Sequence, residues 1–302
     1  MIKLSIIGAG NLGACIAFTI AERNLSDEIM LVDVVKELAE GNALDISHAI
    51  ASNNNTKIRY GGYKDIEDSD IVIVTVGRAR STEMKSRLDL ISFNEGIIRN
   101  VAEEIKQYAP KSIIVTLTNP MDIMNYMLYR HTGFERNRVI GSGQELDSAR
   151  FKTIVSNGYG RVTDILAYVI GEHGDSQVPV FSKLKVKGKY LILPKEEKVE
   201  LIEKCRKSSS EIVNRKGVTA YGPANNTANM IEAILKDQRK LMMCSAVLDG
   251  EYGQGGLSIG APCILGRRGI LKIEEWQIPS EEQKMFIDSV LRLKGCIREL
   301  YR

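Results

Sequence analysis

Three histidines, His48, His131 and His173, are the only side chains of this 302-residue chain whose ordinary pKa lies near neutral pH. An enzyme needing a proton carrier at that pH has few candidates here. His173 stands between glycines in Gly171-Glu172-His173-Gly174-Asp175, just past a strand-like run ending at Ile170, where it should be exposed at a strand end. His48, within ALDISHAI, and His131, before Thr132-Gly133, read as surface or cap positions. Asp147 and Arg150 lie at i, i+3 in LDSAR, on one helix face. That spacing suits a structural ion pair and a working pair equally well. Arg80 and Arg87 sit in the polar loop Arg78–Arg87, which also reads as a solvated charge cluster. The chemistry open to these types is proton exchange by imidazole and two-pronged binding of a small anion by guanidinium.

The elements that must position them begin at the N-terminus. Gly8-Ala9-Gly10-Asn11-Leu12-Gly13 fits G-x-G-x-x-G, following the strand-like Ile2–Ile7 and opening the helical stretch Leu12–Arg23. Gly8 permits the tight turn, Gly10 lets the backbone approach a pyrophosphate, and Gly13 allows close helix–strand packing. The helix N-terminus offers free N–H groups to the phosphates. Asp33 ends the next strand, Glu28–Asp33, where its carboxylate can accept both ribose hydroxyls of NAD and would repel a 2′-phosphate. NAD is therefore expected over NADP.

The runs Ile71–Val76 and Ser112–Thr118 are continuous and β-branched, as in strands buried on both faces of a parallel sheet. Helical periodicity covers Val35–Ile50 and Leu88–Tyr108, the second stopping before Pro110. This alternation predicts a Rossmann-type doubly wound α/β domain. Ligands of such sheets bind beyond the carboxyl ends of the strands, so Gly8, Asp33, Gly77 and Asn119 should face one crevice. After about Gly141 the pattern changes. A helix from Leu146, a strand at Asp164–Ile170, a hairpin turning at Lys187-Gly188, and helices at Glu196–Lys216, Ala224–Lys236 and Glu281–Tyr301 read as a second, α+β domain. The boundary falls near Gly143, giving units 1–142 and 143–302.

Composition excludes several classes. The chain is 44% hydrophobic and 26% charged, an ordinary globular balance. With 41 basic and 38 acidic residues, the net charge of +3 gives no reason to expect nucleic acid or a membrane surface. No apolar run reaches the length of a membrane span, and no signal peptide is evident. The five cysteines are scattered without Cys-x-x-Cys spacing, fitting a reducing compartment.

The order G-x-G-x-x-G, Asp33, the arginine loop, Asn119-Pro120, LDSAR and GEHGD resembles the lactate/malate dehydrogenase family across almost the whole chain. Tyr221-Gly222-Pro223-Ala224 and Gly250-Glu251-Tyr252-Gly253 extend the resemblance. It implies that His173 gives and takes the proton with Asp147 as its carboxylate partner. Arg150 would hold the substrate carboxylate, Arg87 would polarise the carbonyl, and Asn119 would bond the reacting oxygen. Around the cofactor it implicates Gly8, Gly10, Asn11, Leu12, Gly13, Asp33, Gly77, Asn94 and Asn119. No metal is implied. A cytoplasmic homodimer or homotetramer is, with Glu40–Ile50 and Ile154–Tyr159 as contributing stretches.

Within the resemblance, substrate choice lies three residues after the strand-end glycine: arginine there resembles malate dehydrogenases, glutamine lactate dehydrogenases. Gly77 plus three is Arg80. A second cation would pair with the distal carboxylate of oxaloacetate, whereas pyruvate would leave it buried and unpaired at about 3–5 kcal/mol. The usual Lys-Pro-Gly-Met is replaced by Ser81-Thr82-Glu83-Met84, and two residues, Lys85 and Ser86, precede Arg87 instead of one. Placing the extra residue next to Arg87 keeps Arg80 selecting and Met84 in register; counting back from Arg87 would put Ser81 there. The expected activity is NAD-dependent malate dehydrogenase acting on a small dicarboxylate. The alternatives are a lactate or other 2-hydroxy monoacid dehydrogenase, a non-catalytic NAD-binding regulator, and an NAD-using glycosidase, which would need a Cys/His metal cluster that the sequence lacks.

Overall fold

The computed structural model describes residues 1–77 and 87–301, the side chains of 87–89 excepted. The first half runs β1 (Lys3–Ile7), α1 (Asn11–Glu22), β2 (Glu28–Val32), α2 (Lys36–Ile50), β3 (Lys57–Gly61), β4 (Ile71–Val74), α3 (Arg87–Tyr108), β5 (Ile113–Thr116), α4 (Met121–Thr132) and β6 (Val139–Gly141). These six strands pair in parallel in the order β3-β2-β1-β4-β5-β6. Alternation along each strand builds two cores. Leu4, Ile6, Ile29, Leu31, Ile71 and Ile73 pack on α1 and α2, while Ile7, Met30, Val32, Val72 and Val74 pack on α3 and α4. Each fully buried aliphatic side chain is worth about 1.5–3 kcal/mol, so burial on both faces offsets the slow, non-local pairing of a parallel sheet. The expected doubly wound domain is present.

The second half runs α5 (Gln144–Tyr159), β7 (Ile165–Leu166), β8 (Val169–Gly171), β9 (Gln177–Pro179), β10 (Lys185–Val186), β11 (Lys189–Tyr190), α6 (Lys195–Lys216), α7 (Tyr221–Leu235), β12 (Lys240–Asp249), β13 (Gly255–Gly266), β14 (Gly269–Ile273) and α8 (Ser280–Leu300). The long β12–β13 hairpin continues the parallel sheet in antiparallel sense. Ser245 of β12 pairs with Gly141 of β6, and Gly260 of β13 with Gly171 of β8. One sheet therefore runs from the dinucleotide motif to the GEHGD loop.

Two expectations are corrected here. The single strand expected over Asp164–Ile170 is two: β7 joins β10 and β11 in a small sheet, and β8 joins β13 and β9 in the large one. The chain changes sheets at Ala167-Tyr168. The strands β12–β14 were not anticipated, because LMMCSAVLDGEYGQGG mixes apolar and small residues without alternation. Pro262 inside β13 also argues against a central strand. Among the described residues no helix is long and apolar enough to cross a membrane.

Candidate active site

The cofactor end is built from backbone. Gly8 has φ +103°, a left-handed conformation that favours glycine, and a Cβ there would stand 2.7 Å from Thr75 Oγ1. A Cβ on Gly13 would stand 1.8 Å from the Gly8 carbonyl oxygen, so only glycine lets α1 pack so close to the turn. Gly10 differs: a Cβ there would meet nothing within 4 Å, so the backbone borders open space. Gly10 is also the N-cap of α1 and supplies no side-chain cap. The first N–H groups of the helix, from Asn11 and Leu12 onward, thus face an accessible region. Asp33 follows β2. Its Oδ2 accepts from Ala9 N at 2.7 Å and its Oδ1 from Val35 N at 3.0 Å, which orients the carboxylate beside the turn with one lone-pair site left on each oxygen. An open pyrophosphate cradle and an oriented carboxylate fit NAD.

Gly77 ends the β4 segment at φ +127°, and a Cβ there would be 2.9 Å from both Asn94 Oδ1 and Thr118 Cγ2. Asn94, on α3, is fully buried and donates through Nδ2 to the Asn119 carbonyl at 2.7 Å. It holds the tip of β5 from beneath, while Asn119 itself is exposed, its bond to Pro120 cis. Because β2, β1, β4 and β5 are parallel, Asp33, Gly8, Gly77 and Asn119 share one sheet edge.

The titratable residues converge on the same edge. α5 opens just after β6 and carries Asp147 and Arg150 one turn apart. Asp147 is only 1% exposed and divides its oxygens: Oδ1 accepts from Arg150 Nη1 at 3.0 Å, and Oδ2 lies 2.7 Å from His173 Nδ1. A carboxylate can only accept here, so Nδ1 carries the proton donated to Asp147 and Nε2 is left for other partners. The i, i+3 pair is thus an ion pair whose carboxylate also bonds an imidazole. The His173 side chain is 18% exposed, more enclosed than its strand-end position predicted. A Cβ on Gly143 would come within 2.7 Å of its Cγ, so the imidazole packs closely against the start of α5. Burial pulls the His173 pKa down, but the charge and hydrogen bond of Asp147, helped by Asp122 and opposed by Arg150, leave it raised above the ordinary histidine value.

Arg150 is 10% exposed, and its buried Nε has no hydrogen-bond partner among the described residues. A half-used guanidinium fork beside an imidazole suits a planar carboxylate. Arg87 opens α3, but its side chain lies outside the described residues, as does the whole of Arg80.

One residue here was missed in the sequence. Asp122, in the first turn of α4, is fully buried, and its Oδ2 accepts from the His173 backbone N–H at 2.7 Å. Its Oδ1 accepts from Ser245 Oγ at 2.6 Å and from Gln144 Nε2 at 3.1 Å. The available signal was its place three residues after Asn119.

Residues 2–141 match the family description "lactate/malate dehydrogenase, NAD binding domain", and residues 144–301 match its "alpha/beta C-terminal domain". The chain is 41% identical to the malate dehydrogenase of Bacillus subtilis, covering 99% of this chain and 98% of that one. It is 38% identical to the malate dehydrogenase of Natronomonas pharaonis over 97% of each. Among solved structures, the malate dehydrogenase of Cryptosporidium parvum superposes with a TM-score of 0.95 at 32% identity, covering 99% of both chains. The minor L-lactate dehydrogenase of Enterococcus mundtii gives 0.94 at 31% identity, covering 99% of this chain and 98% of that one. With both halves matched by its family models, the chain belongs to the lactate/malate dehydrogenase family of NAD-dependent oxidoreductases.

Proposed function

We propose that this protein interconverts L-malate and oxaloacetate with NAD(H). The observation that carries the chemistry is the Asp147 carboxylate shared between His173 Nδ1 and Arg150 Nη1, which sets a proton carrier beside an anion clamp. When bound, NAD supplies the hydride acceptor or donor at its nicotinamide ring. Gly8, Gly10, Asn11, Leu12, Gly13 and Asp33 would hold its phosphates and adenosine ribose, with Gly77 and Asn119 lining the path to the reacting centre and buried Asn94 supporting Asn119. Arg150 binds the carboxylate next to the reacting carbon, Asn119 bonds the reacting oxygen, and Arg87 polarises the carbonyl. In reduction the Nε2 proton of His173 passes to the oxygen that becomes the hydroxyl; in oxidation Nε2 takes it back. Asp147 holds the imidazole in the required tautomer and stabilises the imidazolium.

The choice of a dicarboxylate rests on Arg80 and on relatives of nearly full length being named malate dehydrogenases. The likeness to an L-lactate dehydrogenase favours a monoacid substrate as the second reading. Initial rates at 340 nm decide between them. Oxaloacetate is expected to exceed pyruvate in kcat/KM by at least about a hundredfold, the cost of stranding a buried cation. Arg80→Gln should shift the ratio toward pyruvate. Equal or better use of pyruvate by the wild type would overturn the malate reading. The same reading divides the chain into an NAD-binding unit, 1–142, and a substrate-binding unit, 143–302. It takes the protein as a cytoplasmic homodimer or homotetramer. Exposed Phe18, Leu38 and Leu44 on the neighbouring helices α1 and α2 support an interface there.

A further inference from the structure

The large sheet brings together two loops that would act on one reacting oxygen: the Asn119 tip of β5 and the His173 loop after β8. Asn119 and His173 lie 54 positions apart in sequence. A buried carboxylate joins them. Asp122 stands in the first turn of α4, directly after Asn119-Pro120, and receives the backbone N–H of His173 at 2.7 Å. Its other oxygen is gripped by Ser245 of β12 and Gln144 of α5. Ser245 is fixed in turn by Ser258 of β13 at 2.9 Å, and Ser258 takes Asn125 Nδ2 of α4 at 2.8 Å. Gln144 Nε2 also reaches the Gly171 carbonyl at 3.1 Å, just upstream of His173. A fully buried carboxylate is costly unless donors surround it. Among the described residues, three donors from separate parts of the chain converge on this one.

We propose that Asp122 is a positioning residue that acts through His173, fixing the proton carrier relative to Asn119 and adding a second negative charge near the imidazole. This rests on the proposed role of His173. Charged groups on three elements surround it among the described residues. From α5, His173 faces Asp147 and Arg150; from α4, it faces Asp122. On its own loop, Glu172 bonds Ser176 and lies 3.7 Å from Arg292 of α8, which also bonds Asp175. On α6, the Cys205 thiol is pushed up to about 12 by burial and stays neutral. Asp147 touches the ring and Asp122 touches the main chain, so the two carboxylates perform different tasks. One sets the tautomer, and the other sets the place of the ring and part of its charge balance.

The test is the pH profile of kcat/KM for oxaloacetate reduction in Asp122→Asn, with NADH affinity read by fluorescence. The amide keeps the volume and can still accept from His173 N, but it carries no charge. Reduction needs the protonated imidazole, so the alkaline fall in rate should move to lower pH by roughly 0.5–1 unit, with NADH affinity unchanged. A purely structural Asp122 would lower stability and leave the profile in place; a profile moved by less than about 0.2 unit overturns the proposal. Should Asp122→Asn fail to bind NADH, Ser245→Ala carries the test by loosening Asp122 without removing its charge. Its kcat is expected to fall about threefold to tenfold at unchanged KM, the effect of one hydrogen bond, and an unchanged kcat overturns the proposal. His173→Asn run in parallel separates the two layers. Turnover surviving there overturns the role of His173, whereas an unmoved Asp122→Asn profile beside an inactive His173→Asn overturns only that of Asp122.

Discussion

His173→Asn is expected to lower kcat by about a thousandfold or more while NADH affinity changes by less than about twofold. A positioned acid–base group contributes about 10²–10⁴ in rate, and asparagine can fill the space without exchanging a proton. The variant should fold. Asp147 keeps its bond to Arg150 when the imidazole is gone, so no isolated charge is left buried. NADH binding should survive because the turn at Gly8–Gly13 and Asp33 belong to β1, α1 and β2, whereas His173 packs on Gly143 at the head of α5. Single-turnover absorbance at 340 nm separates the two effects, and normal turnover with bound NADH would remove His173 from the chemistry. The pH dependence has a fixed sign. The His173 pKa is raised in the folded protein, so reduction should persist above the ordinary histidine value of about 6.5 and fall as pH passes the raised one. Oxidation of malate should rise over the same interval. The linked stability follows the same direction. It is fully present below the unfolded pKa and lost as pH rises through the folded one, so chemical unfolding of the wild type should weaken across that window while His173→Asn stays flat.

Much of this site was legible because its residues are local. The dinucleotide turn is a six-residue pattern between a strand and a helix, and the Asp147–Arg150 pair is one helical turn. Their meaning depends only on nearby backbone. The strands β1, β2, β4 and β5 were legible for a related reason: burial on both faces demands unbroken apolar runs. What escaped was non-local. Nothing in LMMCSAVLDG announces that Ser245 will pair with Gly141 and grip a carboxylate on α4, since that follows from a sheet closing across 104 residues. Asp122 was passed over because a buried carboxylate gains its meaning only from donors on other elements. The break at Ala167-Tyr168 was missed because both pieces are apolar and read as one strand, although they serve different sheets. The resemblance to the family supplied the roles that spacing alone left open between a structural and a working pair.

Arg150→Lys is expected to reduce kcat/KM for oxaloacetate by about 10²–10³, again with NADH affinity intact. The substitution keeps a cation beside Asp147 and loses the planar fork. Two charge-assisted hydrogen bonds in parallel are worth about 3–6 kcal/mol together, and a lysine ammonium recovers only part of that as a point charge. The structure explains why the fork matters: Nη1 already donates to Asp147 at 3.0 Å, so an incoming carboxylate must use the guanidinium donors that remain. A lysine in its place has no second fixed donor to offer once it pairs with Asp147. The effect should also be indifferent to the substrate's far end. The carboxylate next to the reacting carbon is common to every 2-oxo acid, so Arg150→Lys should depress oxaloacetate and pyruvate alike, leaving their ratio within about threefold. Arg80→Gln should do the opposite, changing the ratio at little cost to the common chemistry. Measured together, the two variants separate binding of the reacting end from recognition of the distal one. A loss in Arg150→Lys confined to oxaloacetate would place the distal carboxylate on Arg150 and leave Arg80 without a selecting role.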